Sequence, residues 1–320
     1  MIEASVYTAR RERLSAYLAK RGLAAARFED FEGMRSRNVR YFSGHPGDAF
    51  LIVTADGRSI LVPWDINMAQ KCAHVDDIIP YTSFGRKAAS ATLAVAGKLE
   101  LPHGSRIALP SSTSYIRYID FVEVLEDHDM VCEEGGVDDF VIGMRSVKDA
   151  GELAVYREAS RITDLLMDGI EARVRAGELA TEVDVALFIE RESRMLGCEG
   201  TGFETLAAGP GRSFGIHAVP AYGAGPFATE GMSILDCGVV LEGYTTDITM
   251  TFVQGDPGTE RERMIGLVRE AYDQAVAMCA PGVATRDIAA SCRRVISIAP
   301  SNAELSSPTR PLDKFTKNIF

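Results

Sequence analysis

The chain has 320 residues, of which 46% are apolar and 25% charged, a globular composition long enough for about two domains of common size. Its formal net charge of −11 argues against nucleic acid and anionic membrane as partners, because both call for a basic patch. No run of about 18 uninterrupted apolar residues occurs, and the start, Met1-Ile-Glu-Ala-Ser-Val6, has no basic segment leading into an apolar one, so no membrane partner and a cytoplasmic location are expected.

In chain order, residues 5 to 20 read as a basic amphipathic helix. Val6, Leu14, Tyr17 and Leu18 fall at helical spacing, and Arg10, Arg11 and Arg13 lie elsewhere on it, as on a solvated face. Ala49–Val53 and Ser59–Val62 flank Asp56-Gly57, a strong hairpin signal. Further strands are expected at Arg106–Leu109 and Phe121–Leu125 between helical stretches, so this half is α/β. Glu133-Glu-Gly-Gly136 reads as a linker. Helices follow from about 149 to 175, with Tyr156, Ala159, Ile162, Leu166 and Ile170 on one stripe, and from about 181 to 196. Gly209-Pro-Gly-Arg-Ser213 is glycine-rich but lacks the ending of a phosphate loop. Residues 233 to 240 and 244 to 252 read as two strands, with Glu242 and Gly243 between them. A helix over roughly 259 to 279 carries Met264, Val268, Tyr272, Ala275 and Cys279 on a stripe expected to be core. From Ser297 to Phe320 periodicity is lost, as in a tail. The six cysteines, at 72, 132, 198, 237, 279 and 292, form no Cys-x-x-Cys pair and read as buried or incidental thiols.

The candidate site is the pair Asp236 and Asp247. If Val240 pairs with Gly243, the two aspartates fall directly opposite one another, where Cβ atoms lie about 4.5–5.5 Å apart and like charges repel. Ile234, Gly238, Thr245 and Thr249 share that face, and Cys237 points to the other. Such a pair suits a hard divalent cation, one carboxylate chelating and the other bridging. The alternative is two surface carboxylates screened by water, or a register shifted by one residue.

Four segments, Gly202-Phe-Glu-Thr-Leu-Ala-Ala-Gly209, His217-Ala-Val-Pro220, Asp236-Cys-Gly238 and Gly243-Tyr-Thr-Thr-Asp-Ile-Thr249, resemble in order and spacing the creatinase, prolidase and aminopeptidase P group of metallopeptidases. Met144–Ala159 is similar to that family's entry into its first catalytic-domain helix, and Ala280–Ile288 to the turn after the helix that follows the hairpin. The resemblance implies an α/β creatinase-type N-terminal domain (1–136), an incomplete α+β pita-bread domain (137–296) and an unrelated or disordered tail (297–320). It implies a lineage of Xaa-Pro aminopeptidases and dipeptidases that cleave next to proline in peptides with two divalent metals, Mn, Co or Zn. The family pattern uses five ligands: two hairpin aspartates, a histidine and two glutamates. Asp236 and Asp247 match the first two. The five histidines stand at 45, 74, 103, 128 and 217, so none follows Asp247; Glu260, Glu262, Glu270 and Glu304 match no family motif. At most weak binding of a single metal and no catalytic residue are therefore expected here. A frameshift, a premature stop or an authentic short homologue would each give this ending. His217 matches a substrate-contacting histidine, against the plainer reading of a loop histidine satisfied by backbone groups. Met250 departs from the arginine often found at its position. A half domain would leave sheet edges and an apolar face open, so a homo-oligomer, a dimer by lineage, is expected. The competing reading is a non-catalytic peptide- or protein-binding pita-bread module; a metal-independent creatinase-like hydrolase ranks behind both.

Overall fold

A computed structural model describes residues 2–32, 34 and 36–297 and the backbone of 315–318. The chain forms two compact units, Met1–Leu153 and Ala154–Phe320. The first contains α1 (Ala4–Arg21), β1 (Ala25–Asp30), α2 (Asn38–Ser43), β2 (Ala49–Thr54), β3 (Ser59–Pro63), α3 (Ile66–Cys72) and β4 (Asp77–Ile78). After a 3-10 turn at Tyr81–Phe84 come α4 (Ala88–Lys98), β5 (Arg106–Leu109), α5 (Tyr115–Val124), β6 (Asp129–Cys132) and α6 (Val137–Ser146). The strands make one mixed sheet in the order β4-β3-β2-β1-β5-β6, with β1, β5 and β6 parallel.

All six residues of β2 are buried because helices cover both faces of the sheet. Leu51 and Val53 join Leu14 and Leu18 of α1 and Val39 and Phe42 of α2 in one cluster. Phe50 and Ile52 join Val95 of α4 and Phe121 of α5 in the other. The expected β2–β3 hairpin forms around Asp56-Gly57, where Gly57 takes a φ of 97°.

Three expectations for this unit are corrected. Phe121–Leu125 is not a strand: Phe121 lies in α5 and Leu125 caps it, and the two are buried at a spacing of four residues. Ser114 caps the start of that helix by accepting from Arg117 N. Arg10 and Arg11 are not solvated; they are 3% and 6% exposed. Arg10 donates to Tyr41 O at 3.0 Å and ion-pairs with Asp149 at 2.8 Å, and Arg11 donates to Phe42 O at 2.8 Å. Both cations thus bind the carbonyl end of α2, where the helix dipole favours positive charge. Finally, α6 lies beyond the Gly-rich stretch at 133–136, yet its Val137, Val141 and Met144 belong to the first core.

The second unit follows from α7 (Ala150–Ala176), which begins in the first, through α8 (Glu182–Met195), β7 (Gly200–Thr201), β8 (Leu206–Ala208), β9 (Gly231–Cys237), β10 (Val239–Leu241), β11 (Tyr244–Thr245) and β12 (Ile248–Gln254). It ends with α9 (Thr259–Met278), α10 (Thr285–Ser297) and the strand β13 (Phe315–Asn318). Two sheets result, β11-β10-β7 and β13-β12-β9-β8. Ile162, Leu166 and Ile170 of α7 and Val185 and Ile189 of α8 pack on Leu235, Cys237, Ile248, Met250 and Phe252. Met250, fully buried, therefore fills the core. The stripe expected on α9 is not core: Met264 and Val268 are 57% and 38% exposed, and the buried residues are Ile265 and Ala271. Of the expected tail, residues 298–314 and 319–320 lie outside the described residues; the backbone of 315–318 pairs with β12.

Candidate functional site

The hairpin that carries the two aspartates is built around Glu242 and Gly243, whose φ values are 48° and 83°. Positive φ at both central positions is the signature of a type I′ turn, whose twist matches that of the strands it joins. Leu241 therefore pairs with Tyr244, and Val240 with Thr245. The expected pairing of Val240 with Gly243 is two residues out. Asp236 faces Thr249, not Asp247. A slip of two residues preserves the alternation of side chains, so Asp236 and Asp247 still share a face.

Between Cys237 and Val239 the ladder breaks. A Cβ on Gly238 would lie 1.8 Å from Thr246 O, so only glycine admits this approach of the two chains. Thr246 mends the break with its side chain: Oγ1 accepts from Val239 N at 3.0 Å and bonds Thr163 Oγ1 of α7 at 2.9 Å. Asp247, next along, stands outside the ladder and is exposed.

Asp236 is half-buried, and its Oδ1 is buried without a hydrogen-bond partner. Burial, and after it the neighbouring Asp247 carboxylate, pushes its acid above the ordinary aspartate range; a hydrogen bond from Thr249 and the proximity of His217 oppose the rise. The structure thus brings all three residues singled out in the sequence into one electrostatic neighbourhood. Cys237 points into the core, 1% exposed, and burial followed by the two aspartates pushes its thiol up to about 12. A neutral thiol on the far face cannot ligate a cation held by Asp236.

His217 is exposed on the loop from β8 to β9, with Phe214, Ile216 and Val219 around it 91%, 86% and 91% exposed. Glu182, unnoticed in the sequence, ties together Gly209 and Gly223, on either side of His217 in that loop. Its carboxylate is 2% exposed and accepts from Gly209 N and Gly223 N at 2.8 Å each. Its own N–H donates to Gly225 O at 3.0 Å. Arg212 Nε approaches Glu182 Oε1 at 3.2 Å, close enough for an ion pair though not aligned as a hydrogen bond. Arg212 Nη2 donates to Pro220 O at 2.5 Å. The sequence signal for Glu182 was slight: it follows Thr181 in a Thr181/Asp184 capping box, where an acid reads as helix-dipole chemistry.

An orphaned buried carboxylate oxygen beside a second carboxylate fits a hard cation approached from one side. Among the described residues no group of three His, Cys, Asp or Glu side chains could close around such an ion. Asp236 and Asp247 are the two carboxylates that could hold such an ion, with His217 in the electrostatic neighbourhood of Asp236.

Comparison with known proteins bears on this geometry. The pattern of the Creatinase/Prolidase N-terminal domain matches residues 10–147, and that of Metallopeptidase family M24 matches residues 154–310. A Xaa-Pro dipeptidase of Pyrococcus horikoshii is 24% identical over 270 residues, covering 82% of this chain and 70% of its own length. The solved X-Pro aminopeptidase of Thermotoga maritima superposes with a TM-score of 0.75 at 22% identity, covering 90% of this chain and 77% of that one. The prolidase structure from Pyrococcus horikoshii gives 0.74 at 21% identity, with the same 90% and 77% coverage. These likenesses establish the shared fold, a creatinase-type N-terminal domain followed by a pita-bread domain.

Proposed function

This chain belongs to the creatinase/prolidase family of metallopeptidases, and from that premise we propose that its lineage reaction is hydrolysis of the peptide bond next to proline. Relatives named Xaa-Pro dipeptidase support the substrate class. The observation that carries the reading is the buried, unpartnered Oδ1 of Asp236 close to the charge of Asp247. Two like charges there call for a cation, and Asp236 and Asp247 would hold it. Divalent metal ions, Mn, Co or Zn, would supply Lewis-acid polarisation of the scissile carbonyl. Thr249 fixes the rotamer of Asp236 through its hydrogen bond. His217, on a loop segment strapped by Glu182 at Gly209 and Gly223, is the group that contacts the peptide, and Phe214, Ile216 and Val219 offer it an apolar surround.

Asp236 and Asp247 match two of the five ligands in the family pattern, and no histidine follows Asp247 within these 320 residues. Two carboxylates hold one hydrated ion loosely, so we expect weak single-metal binding and no turnover from this chain alone. A non-catalytic peptide- or protein-binding role is the second reading. It is favoured by the exposed apolar residues beside His217. A cytoplasmic dimer completes the proposal. The experiment is hydrolysis of Xaa-Pro dipeptides and Xaa-Pro-Yaa tripeptides with Mn(II), with Asp236→Ala as control. Absence of turnover is expected; turnover lost in Asp236→Ala would show a site completed in some other way.

A further inference from the structure

The first unit holds a second concave site, at the carboxyl ends of β1 and β5. In an open α/β sheet, ligands gather outside the strand ends where the chain departs to opposite sides. Here β2 and β3 lie to one side of β1, and β5 and β6 to the other. The cavity measures about 730 Å³, within the roughly 300–1,000 Å³ of small-molecule sites. Among the described residues its walls carry four arginines, Arg27, Arg37, Arg117 and Arg145, against three carboxylates, Glu29, Glu32 and Asp138.

Pairing within the walls leaves positive charge over. Glu29 takes Arg117 through both oxygens, at 3.1 and 2.9 Å, and also meets Arg27 Nη2 at 2.7 Å. One carboxylate thus serves two guanidiniums. Arg27 is 2% exposed, lies 4.6 and 4.5 Å from the ring centres of Phe50 and Phe121, and donates Nε to Thr92 at 2.9 Å. Asp138 is engaged by Ser111 N and Oγ at 3.1 and 2.5 Å. Glu32 is exposed, and solvent screens it. Arg37 and Arg145 are half-buried and make no ion pair among the described residues; Arg145 reaches only Asn38 Oδ1, at 3.4 Å. The Ser114-capped start of α5 adds the positive end of a helix dipole.

An adjoining cavity of about 400 Å³ shares Phe31, Glu32 and Arg117 with the first and is lined by Trp64 and Tyr81. Phe31 and Tyr81 stack at 5.5 Å and Trp64 lies 5.6 Å from Tyr81, forming an aromatic shelf. We propose that this double crevice binds a small organic oxyanion, a carboxylate or phosphate monoester carrying a planar apolar body. The oxyanion sits among Arg37, Arg145 and Arg117, whose planar forks suit two-oxygen recognition. The body lies along Phe31, Tyr81 and Trp64.

Trp64 is the chain's single tryptophan and is 50% exposed, so its fluorescence reads the shelf. The full chain is titrated with phenyl phosphate and with benzoate at constant ionic strength. A saturable change with a dissociation constant of about millimolar or tighter supports the site, and the tighter probe assigns the oxyanion. The paired substitution Arg37→Gln and Arg145→Gln, which breaks no ion pair, should weaken binding about tenfold or more at unchanged melting temperature. Inorganic phosphate should compete, and benzyl alcohol should not saturate. A linear, unsaturating response, affinity unchanged in the paired variant, or equal binding of benzyl alcohol would overturn the proposal. If the paired variant melts early, the single variants decide: unchanged affinity in both also overturns it.

Discussion

Glu182→Ala should release the loop that carries His217. The Glu182 carboxylate is 2% exposed and accepts two backbone N–H groups, from Gly209 and Gly223, at 2.8 Å each. Hydrogen bonds to a charged group contribute about 1.5–3 kcal/mol each, and removing one partner of a buried set costs about 3–5 kcal/mol because the other groups stay buried and unpaired. Arg212 adds less, since its side chain is 31% exposed. The expected local cost is therefore about 3–5 kcal/mol, or about two to nearly four powers of ten in the opening equilibrium. With two compact units, a single unfolding midpoint would blur this effect; amide hydrogen exchange resolves it. Protection at Gly209 and Gly223 should fall by about 10²- to 10⁴-fold in Glu182→Ala. Glu182→Gln, which keeps one acceptor, should lose about a tenth to a hundredth as much, and amides of the first unit should not change. Unaltered protection at Gly209 and Gly223 in Glu182→Ala would refute the reasoning.

Acid should weaken the first unit through Glu29. Burial raises its acid, but the combined pull of Arg27 and Arg117 prevails and holds it below the ordinary glutamate range. A depressed carboxylate contributes stability above its unfolded pKa and loses it as pH falls through the folded value. The melting temperature of the first unit should therefore drop as pH falls below about 4, and Glu29→Gln should flatten that part of the profile; equal acid sensitivity in the variant would contradict it. Gly238→Ala should disrupt the hairpin break, because its Cβ would fall 1.8 Å from backbone Thr246 O; a destabilisation of at least about 2 kcal/mol by denaturant titration is expected, and a neutral result would rule the close approach out. In thiol labelling of the native chain, Cys279, which is exposed, should react, and Cys237, 1% exposed with its thiol at about 12, should stay unlabelled.

Much of this fold was legible because its periods are strong. Ile162, Leu166 and Ile170 recur at steps of four along α7 and are buried as that spacing requires. The β2–β3 hairpin announced itself through Asp56-Gly57. The common face of Asp236 and Asp247 was also readable, because a two-residue slip leaves side-chain parity intact. Register was not readable, since it turned on Glu242 adopting positive φ, which glutamate seldom does. Long-range satisfaction of polar groups was equally hidden. Arg10 and Arg11 look solvated by local pattern but bind carbonyls some thirty residues away on α2. Glu182 looks like a helix-start acid, yet it binds amides of a distant loop. The α9 stripe misled in the opposite direction: period alone marks an apolar face, and what covers that face is decided elsewhere.

The most direct measurement is Mn(II) binding followed by electron paramagnetic resonance, on the chain and on Asp236→Asn. One weak, saturable ion per chain, with a dissociation constant of about 10⁻⁴–10⁻³ M as for low-affinity oxygen sites, lost in Asp236→Asn, is the expected result. No saturable binding, or binding indifferent to Asp236→Asn, would contradict the assignment of Asp236 and Asp247 as the carboxylates that hold the metal.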